Sequence, residues 1–213
     1  MATTKAQRET NHRTRVGRQR RARTETRILE AALDVFGRMG PNAPKIDDFV
    51  ATAGISRGTF YNHFDSVDAL LEATSEWTTR ELIHTIEHAL EGIEGPAIRF
   101  GIGLRLFFAK AQADRTWSRF VGRVWSMGGL EFPQRDLEEG IRTGVVSTPS
   151  PVVTGDLLQG GVRQALVRIG SERVPASYGD EMAELCLRVL GVDRRRIATV
   201  MKHELPATDR ATE

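Results

Sequence analysis

Between Ile46 and Phe64 the sequence reads IDDFVATAGISRGTFYNHF, two short helical segments set against a three-residue break. Ile46, Phe49, Val50 and Ala53 fall at i, i+3, i+4 and i+7, which predicts a two-turn helix with one apolar face. Asp47 and Asp48 lie in its first turn, where the helix dipole favours negative charge. Gly54 can take the left-handed conformation that ends one helix and lets another begin, and Ser56 is a strong N-cap for a helix from Arg57 to about His63. Ile55, Phe60 and Phe64 then point inward, leaving Arg57, Gly58, Thr59, Tyr61 and Asn62 on the outer face. Two helices joined in this way form a helix-turn-helix whose second member can lie in a DNA major groove. An ordinary helical hairpin with a solvated polar face shares the same spacing.

Strand signals are scarce elsewhere and helical periodicity recurs, so the expected fold is all-α. A first helix is predicted from Thr24, as N-cap, to the stop at Gly40-Pro41, with Ile28, Ala32, Val35, Phe36 and Met39 as its apolar stripe. A fourth runs over 66–90, with Leu70, Leu71, Trp77, Leu82, Ile83 and Ile86 making apolar contacts, before a break at Gly92–Pro96. Further helices are predicted at about 97–113, 115–127, 133–146, 152–172, 179–190 and 193–204. The implied organisation is a disordered basic arm (1–23), a helix-turn-helix domain (24–65), a larger helical effector-binding and dimerisation domain (66–205), and a disordered tail (206–213).

Charge is distributed unevenly behind a net of +2. Residues 1–65 carry a net of +5 and residues 66–213 a net of −3. Arg13, Arg15, Arg18, Arg20, Arg21 and Arg23 crowd directly ahead of the first helix. A tail of this composition cannot bury enough apolar area to fold alone, and its arginines suit phosphate or minor-groove contact. Its bland counterpart is a solubilising tail. No apolar run is long enough for a membrane span, and the polar N-terminus lacks a secretory signal. Cys186 is the single cysteine, so no internal disulfide can form and a cytoplasmic location is expected.

The segments ILEAALDVFGRMG, ATAGIS and RGTFYNHFDSVDALLEAT, spanning about Thr24 to Thr74, resemble the N-terminal domain of TetR-family transcriptional regulators. The resemblance implies a homodimer on a pseudo-palindromic double-stranded DNA operator, with two recognition helices in successive major grooves. It also implies a small ligand in the C-terminal body that changes the spacing of the two heads. Ser56, Arg57, Gly58, Thr59, Tyr61, Asn62 and His63 match the family's DNA-contacting helix. By that match Tyr61 and His63 touch phosphates, while Arg57 and Asn62 are the base-reading candidates. Two positions depart from the family pattern. Lys45 stands where threonine usually caps the second helix, and Val67 stands where a lysine often anchors a phosphate. Lys45 could itself reach a phosphate, and the arginine arm could supply the missing anchor.

In the body, Phe100, Phe107, Phe108, Trp117, Phe120 and Trp125, six of its nine aromatic residues, fall within 28 positions together with Met127. Core packing explains any one of them; together they suggest a pocket for a small apolar or aromatic effector. Leu157, Leu158, Val162, Ala165, Leu166 and Ile169, with Met182, Leu185, Cys186, Val189 and Leu190, form two apolar stripes assigned by the resemblance to the dimer interface. Gly160 and Gly161 would suit a close helix crossing there. No catalytic constellation is present: His84 and His88 at i and i+4 lack a second ligand cluster, and there is no phosphate loop or nucleophile elbow. The expectation is a ligand-responsive repressor, not an enzyme, with no cofactor or metal. The rival is a ligand-binding or protein-interaction module of the same fold that lacks specific operator binding.

Overall fold

The computed structural model describes residues 3–124 and 134–205, with side chains from 15 to 124 and from 138 to 205. Among these residues every regular element is an α-helix: α1 (Thr3–Met39), α2 (Ile46–Ala53), α3 (Arg57–Tyr61), α4 (Val67–Ala89), α5 (Pro96–Ala113), α6 (Arg115–Val124), α7 (Gln134–Arg142), α8 (Pro151–Ser171), α9 (Tyr178–Val189) and α10 (Arg194–Lys202). The tail expected at 206–213 lies outside the described residues. Two compact units divide at Thr74/Ser75, inside α4, and so later in the chain than the boundary predicted at residue 65.

The smaller unit is built on a ladder of phenylalanine rings. Phe36 of α1 meets Phe49 of α2 at 4.9 Å between centroids, Phe49 meets Phe60 of α3 at 6.5 Å, and Phe60 meets Phe64 at 6.2 Å. Ile28, Ala32 and Val35 of α1 are buried with them, while Met39, assigned to the same stripe, is exposed. Lengths and caps of α2 and α3 follow the local sequence. Gly54 sits at φ 60°, ψ 43°, and the N–H groups of Gly54 and Ile55 close onto the carbonyls of Ala51 and Val50.

The N-terminal stretch differs from its reading as a disordered arm. α1 is continuous from Thr3, and Thr24 lies inside it with its hydroxyl donating to the Arg20 carbonyl instead of capping a helix start. Charge composition argues against a packed core; it does not argue against helix. Arginine, alanine and glutamine are good helix formers, and the folded segment from Ile28 onward supplies a nucleus to extend.

In the larger unit α5 is the central helix, packed by α6, α7, α8, α9 and α10. The most extensive packing is α6 on α8, with Gly122 and Gly170 lying where the two helices approach. Arg115 and Arg119 of α6 donate to the carbonyls of Ile169 and Gly170, satisfying the otherwise unpaired end of α8, and the Ser118 hydroxyl donates to the Leu166 carbonyl. Arg105 of α5 is buried and donates four hydrogen bonds. Its Nε and Nη2 reach the Asp180 carboxylate at 2.7 and 3.2 Å, and its Nη1 donates to the carbonyls of Val200 and His203. One guanidinium thereby ties α5 to α9 and to the end of α10.

A Cβ added at Gly170 would lie 2.6 Å from Arg119 Cγ and 3.1 Å from its backbone nitrogen, whereas one added at Gly155 meets nothing within 4 Å. Gly170→Ala should therefore destabilise by about 1–3 kcal/mol, and Gly155→Ala should stabilise by about 0.5–1 kcal/mol. Denaturant midpoints of the two variants check the opposite signs.

Candidate nucleic-acid interface

Short-range capping sets the orientation of α3. The Ser56 hydroxyl accepts from the Thr59 N–H at 3.1 Å and also bonds the Thr59 hydroxyl at 2.9 Å. These two hydroxyls, both predicted to contact DNA, are thus engaged in holding the helix start. At the start of α2, Lys45 has no acceptor with which to cap. The Asp48 carboxylate instead accepts from the Lys45 N–H at 2.7 Å, and the Lys45 ammonium is left exposed.

With Phe60 and Phe64 fixed in the core, α3 presents Arg57, Gly58, Tyr61 and Asn62 outward, and Tyr61 is 52% exposed. His63 does not share this face. Its side chain is only 7% exposed, with Nδ1 lacking a hydrogen-bond partner and 3.8 Å from the Glu25 carboxylate of α1. The phosphate contact that the resemblance implies for His63 thus starts from a ring turned toward Glu25 of α1 and not from the outward face of α3.

Arg57 is not free. Its Nε and Nη2 donate to the two oxygens of Asp47 at 2.7 and 2.6 Å, a fork-to-fork pair across the turn between α2 and α3. That hydrogen-bonded partner, with a smaller contribution from nearby Lys45, holds the Asp47 carboxyl below its ordinary range, and the same pair raises the Arg57 guanidinium. Ten residues separate the two in sequence, so helical spacing gave no sign of the pairing.

The helical extension of α1 contributes the second side of the site. Gly17, Arg20, Arg21 and Thr24 of α1 face Thr59, Asn62 and His63 across an open cleft of about 460 Å³. Arg21 Nη2 donates to the Asn62 carbonyl at 3.2 Å, which fixes this side against the end of α3. Arg15, Arg18 and Arg23 are arranged around the same helix, and Arg13 lies within α1.

The model of "Bacterial regulatory proteins, tetR family" matches residues 28–74, the stretch containing α2, α3 and the buried part of α1. Residues 28–74 thus carry a DNA-binding domain of the kind found in TetR-family regulators. It is 36% identical over 69 residues to the uncharacterized HTH-type transcriptional regulator YvdT of Bacillus subtilis strain 168, a match covering 32% of each chain. It is 32% identical over 80 residues to the HTH-type transcriptional repressor DhaR of Mycobacterium sp. strain GP1, covering 37% of this chain and 40% of that one. The aligned stretch thus spans about a third of the relatives' length. Similarity of fold extends further: the crystal structure of RolR in complex with resorcinol superposes with a TM-score of 0.61 over 89% of this chain and 98% of that one, at 22% identity. The TetR-like head and the larger helical body are therefore both recognisable.

In the body, Phe100, Phe107, Phe108, Trp117 and Phe120 are all buried, and Phe107 meets Phe108 and Trp117 edge-on at 5.4 and 5.5 Å. Trp125 and Met127 lie outside the described residues. The apolar stripes of α8 and α9 divide in two. Leu158, Val162, Ala165, Leu166 and Ile169, with Cys186 and Leu190, are buried within the unit. Val153 (65% exposed) and Leu157 (60%) of α8, with Leu185 (52%) of α9, stand outside. Periodicity could not distinguish a face buried in the protomer from a second apolar face next to it. A Cβ at Gly160 or Gly161 meets nothing within 4 Å, so neither glycine serves a crossing within the chain.

His84 and His88 are not drawn into a ligand set, and His88 Nδ1 is 3.1 Å from Glu91 Oε1. Among the described residues no group of three His, Cys, Asp or Glu could hold a metal ion, and no helix is long and apolar enough to cross a membrane.

Burial pushes the Cys186 thiol up to about 12. The thiolate, which is the reactive form, is then scarce at about pH 8. A disulfide exchange reagent under those conditions should modify Cys186 slowly in the native protein and rapidly in denaturant; equal rates in both would contradict the burial.

Proposed function

We propose that this chain is a ligand-responsive DNA-binding repressor that grips a pseudo-palindromic operator as a homodimer and is released by a small apolar or aromatic molecule. The observation carrying this reading is the outward face of α3, with Arg57, Gly58, Tyr61 and Asn62 exposed beside the basic face of α1. Arg57 and Asn62 are the base-reading candidates and Tyr61 a phosphate contact, with Lys45 at the start of α2 as a further phosphate contact. Ser56 and Thr59 serve chiefly by holding the helix in place. Arg20 and Arg21, with Arg13, Arg15, Arg18 and Arg23 on the same helix, supply the anchor absent at Val67. Repression is favoured because an occupied operator blocks transcription without further contacts, and DhaR, similar over the head, carries a repressor's name.

For the body, the exposed row of Val153, Leu157 and Leu185 is the proposed dimer face, and Gly160 and Gly161 would let α8 approach its counterpart in a second copy. The aromatic cluster of α5 and α6 is the proposed seat of the effector, consistent with the aromatic ligand of the structurally similar RolR. A soluble regulator of this type acts in the cytoplasm.

Removing residues 1–23 should weaken operator binding and reduce the slope of log affinity against log salt by about 0.9 for each phosphate left without its arginine. Gel shifts of the full and shortened chains on the upstream region, at several salt concentrations, measure both. An unchanged slope and affinity removes the arm from the interface, and sequence-independent retention by the full chain defeats the operator claim. Separately, Leu157→Glu should convert the dimer to monomer in sedimentation, because it places a charge in the middle of the apolar row.

A further inference from the structure

The arrangement of donors on Arg57 restricts what it can read. A guanidinium carries five N–H groups in one plane. One edge offers Nε–H and an Nη2–H; the end offers one N–H from each Nη. The Asp47 carboxylate occupies the whole of the first edge, at 2.7 and 2.6 Å. The end remains available, and both side chains are well exposed at the surface of α2 and α3.

In the major groove guanine presents O6 and N7, two acceptors side by side, which match two parallel N–H donors. Adenine pairs its N7 acceptor with an amino donor, cytosine presents a donor, and thymine presents O4 beside a methyl group. An arginine clamped by its side edge therefore complements guanine and mismatches the other three. We propose that Asp47 is a specificity-determining positioning residue, clamping Arg57 by Nε and Nη2 so that its free end reads a guanine in each operator half-site. The inference rests on the DNA-binding role proposed above and adds the base that is read.

A phosphate is the poorer target for the same pair. The Asp47 carboxylate repels a nearby phosphate, whereas the guanine edge carries no net charge to oppose it. Clamping also removes rotamer freedom from a long side chain before DNA arrives, so binding costs less order. Asp48 cannot replace Asp47 in this task, since its carboxylate is turned to the Lys45 N–H.

The test is selection of bound sequences from a randomised duplex pool by the full chain and by Asp47→Ala, Arg57→Ala and Arg57→Lys, with thermal melting to confirm that each is folded. The wild-type chain should enrich guanine at one position in each half-site. Arg57→Ala and Arg57→Lys should reduce that preference by roughly five- to 150-fold, the range of one bidentate base contact. Asp47→Ala should still bind DNA but with a reduced guanine preference at that position alone. A purely structural role for Asp47 would instead lower affinity evenly for all sequences, and that result overturns the proposal. So does a guanine preference that survives Asp47→Ala, or a wild-type consensus with no Arg57-dependent guanine. Specific binding with an Asp47-independent consensus defeats this inference alone; absence of any specific binding defeats the operator reading as well.

Discussion

The phenylalanine ladder from Phe36 through Phe49 and Phe60 to Phe64 is the constraint on which the head depends. α3 has only five residues and makes too few internal hydrogen bonds to persist alone. Its axis is set because Phe60 is fully buried on the ring of Phe49, which is itself fixed by Phe36 of α1. Everything presented outward, including the Arg57 fork and the exposed Tyr61 ring, inherits its direction from those inward contacts. The Ser56 cap and the left-handed Gly54 then fix where the helix begins.

Much of the head was legible because its determinants are local. Gly54, Ser56 and the i, i+3, i+4 spacing of α2 act within one or two turns, and their elements begin and end close to where the sequence places them. The same holds for α5, α8, α9 and α10, whose ends coincide with proline, glycine or aspartate signals. What escaped depends on contacts distant in sequence or on competition between similar faces. The Asp47–Arg57 pair bridges two helices, and nothing in either helix's own pattern announces it. His63 is grouped with the DNA-contacting helix by resemblance, yet its ring is buried toward Glu25.

The body shows the same limit in another form. On α8, Leu157 and Leu158 are equally apolar neighbours, but Leu158 is buried in the protomer and Leu157 is exposed. A periodic stripe identifies an apolar helix, and only the packing against α6 through Gly122 and Gly170 decides which side is already used. Glycines were informative for a similar reason. Gly160 and Gly161 meet nothing within the chain, whereas Gly170 lies at a close crossing, where Arg119 sits against the backbone.

The continuity of α1 gives its arginines a property that a loose tail would lack. Each residue turns the helix by about 100°, so Arg20 and Arg21 share the side of Gly17 and Thr24, while Arg15 lies about half a turn away. Only part of the basic charge is therefore aimed along the cleft, and which part is decided by register. A loose arm would tolerate a residue added or removed between Arg15 and Thr24, since its side chains could rearrange. Here a single insertion or deletion between Arg21 and Thr24 would rotate Arg20 and Arg21 by about 100° away from Thr59 and Asn62, while leaving composition and net charge nearly unchanged. The spacing of this segment should thus be more tightly constrained in evolution than the identity of any one of its arginines.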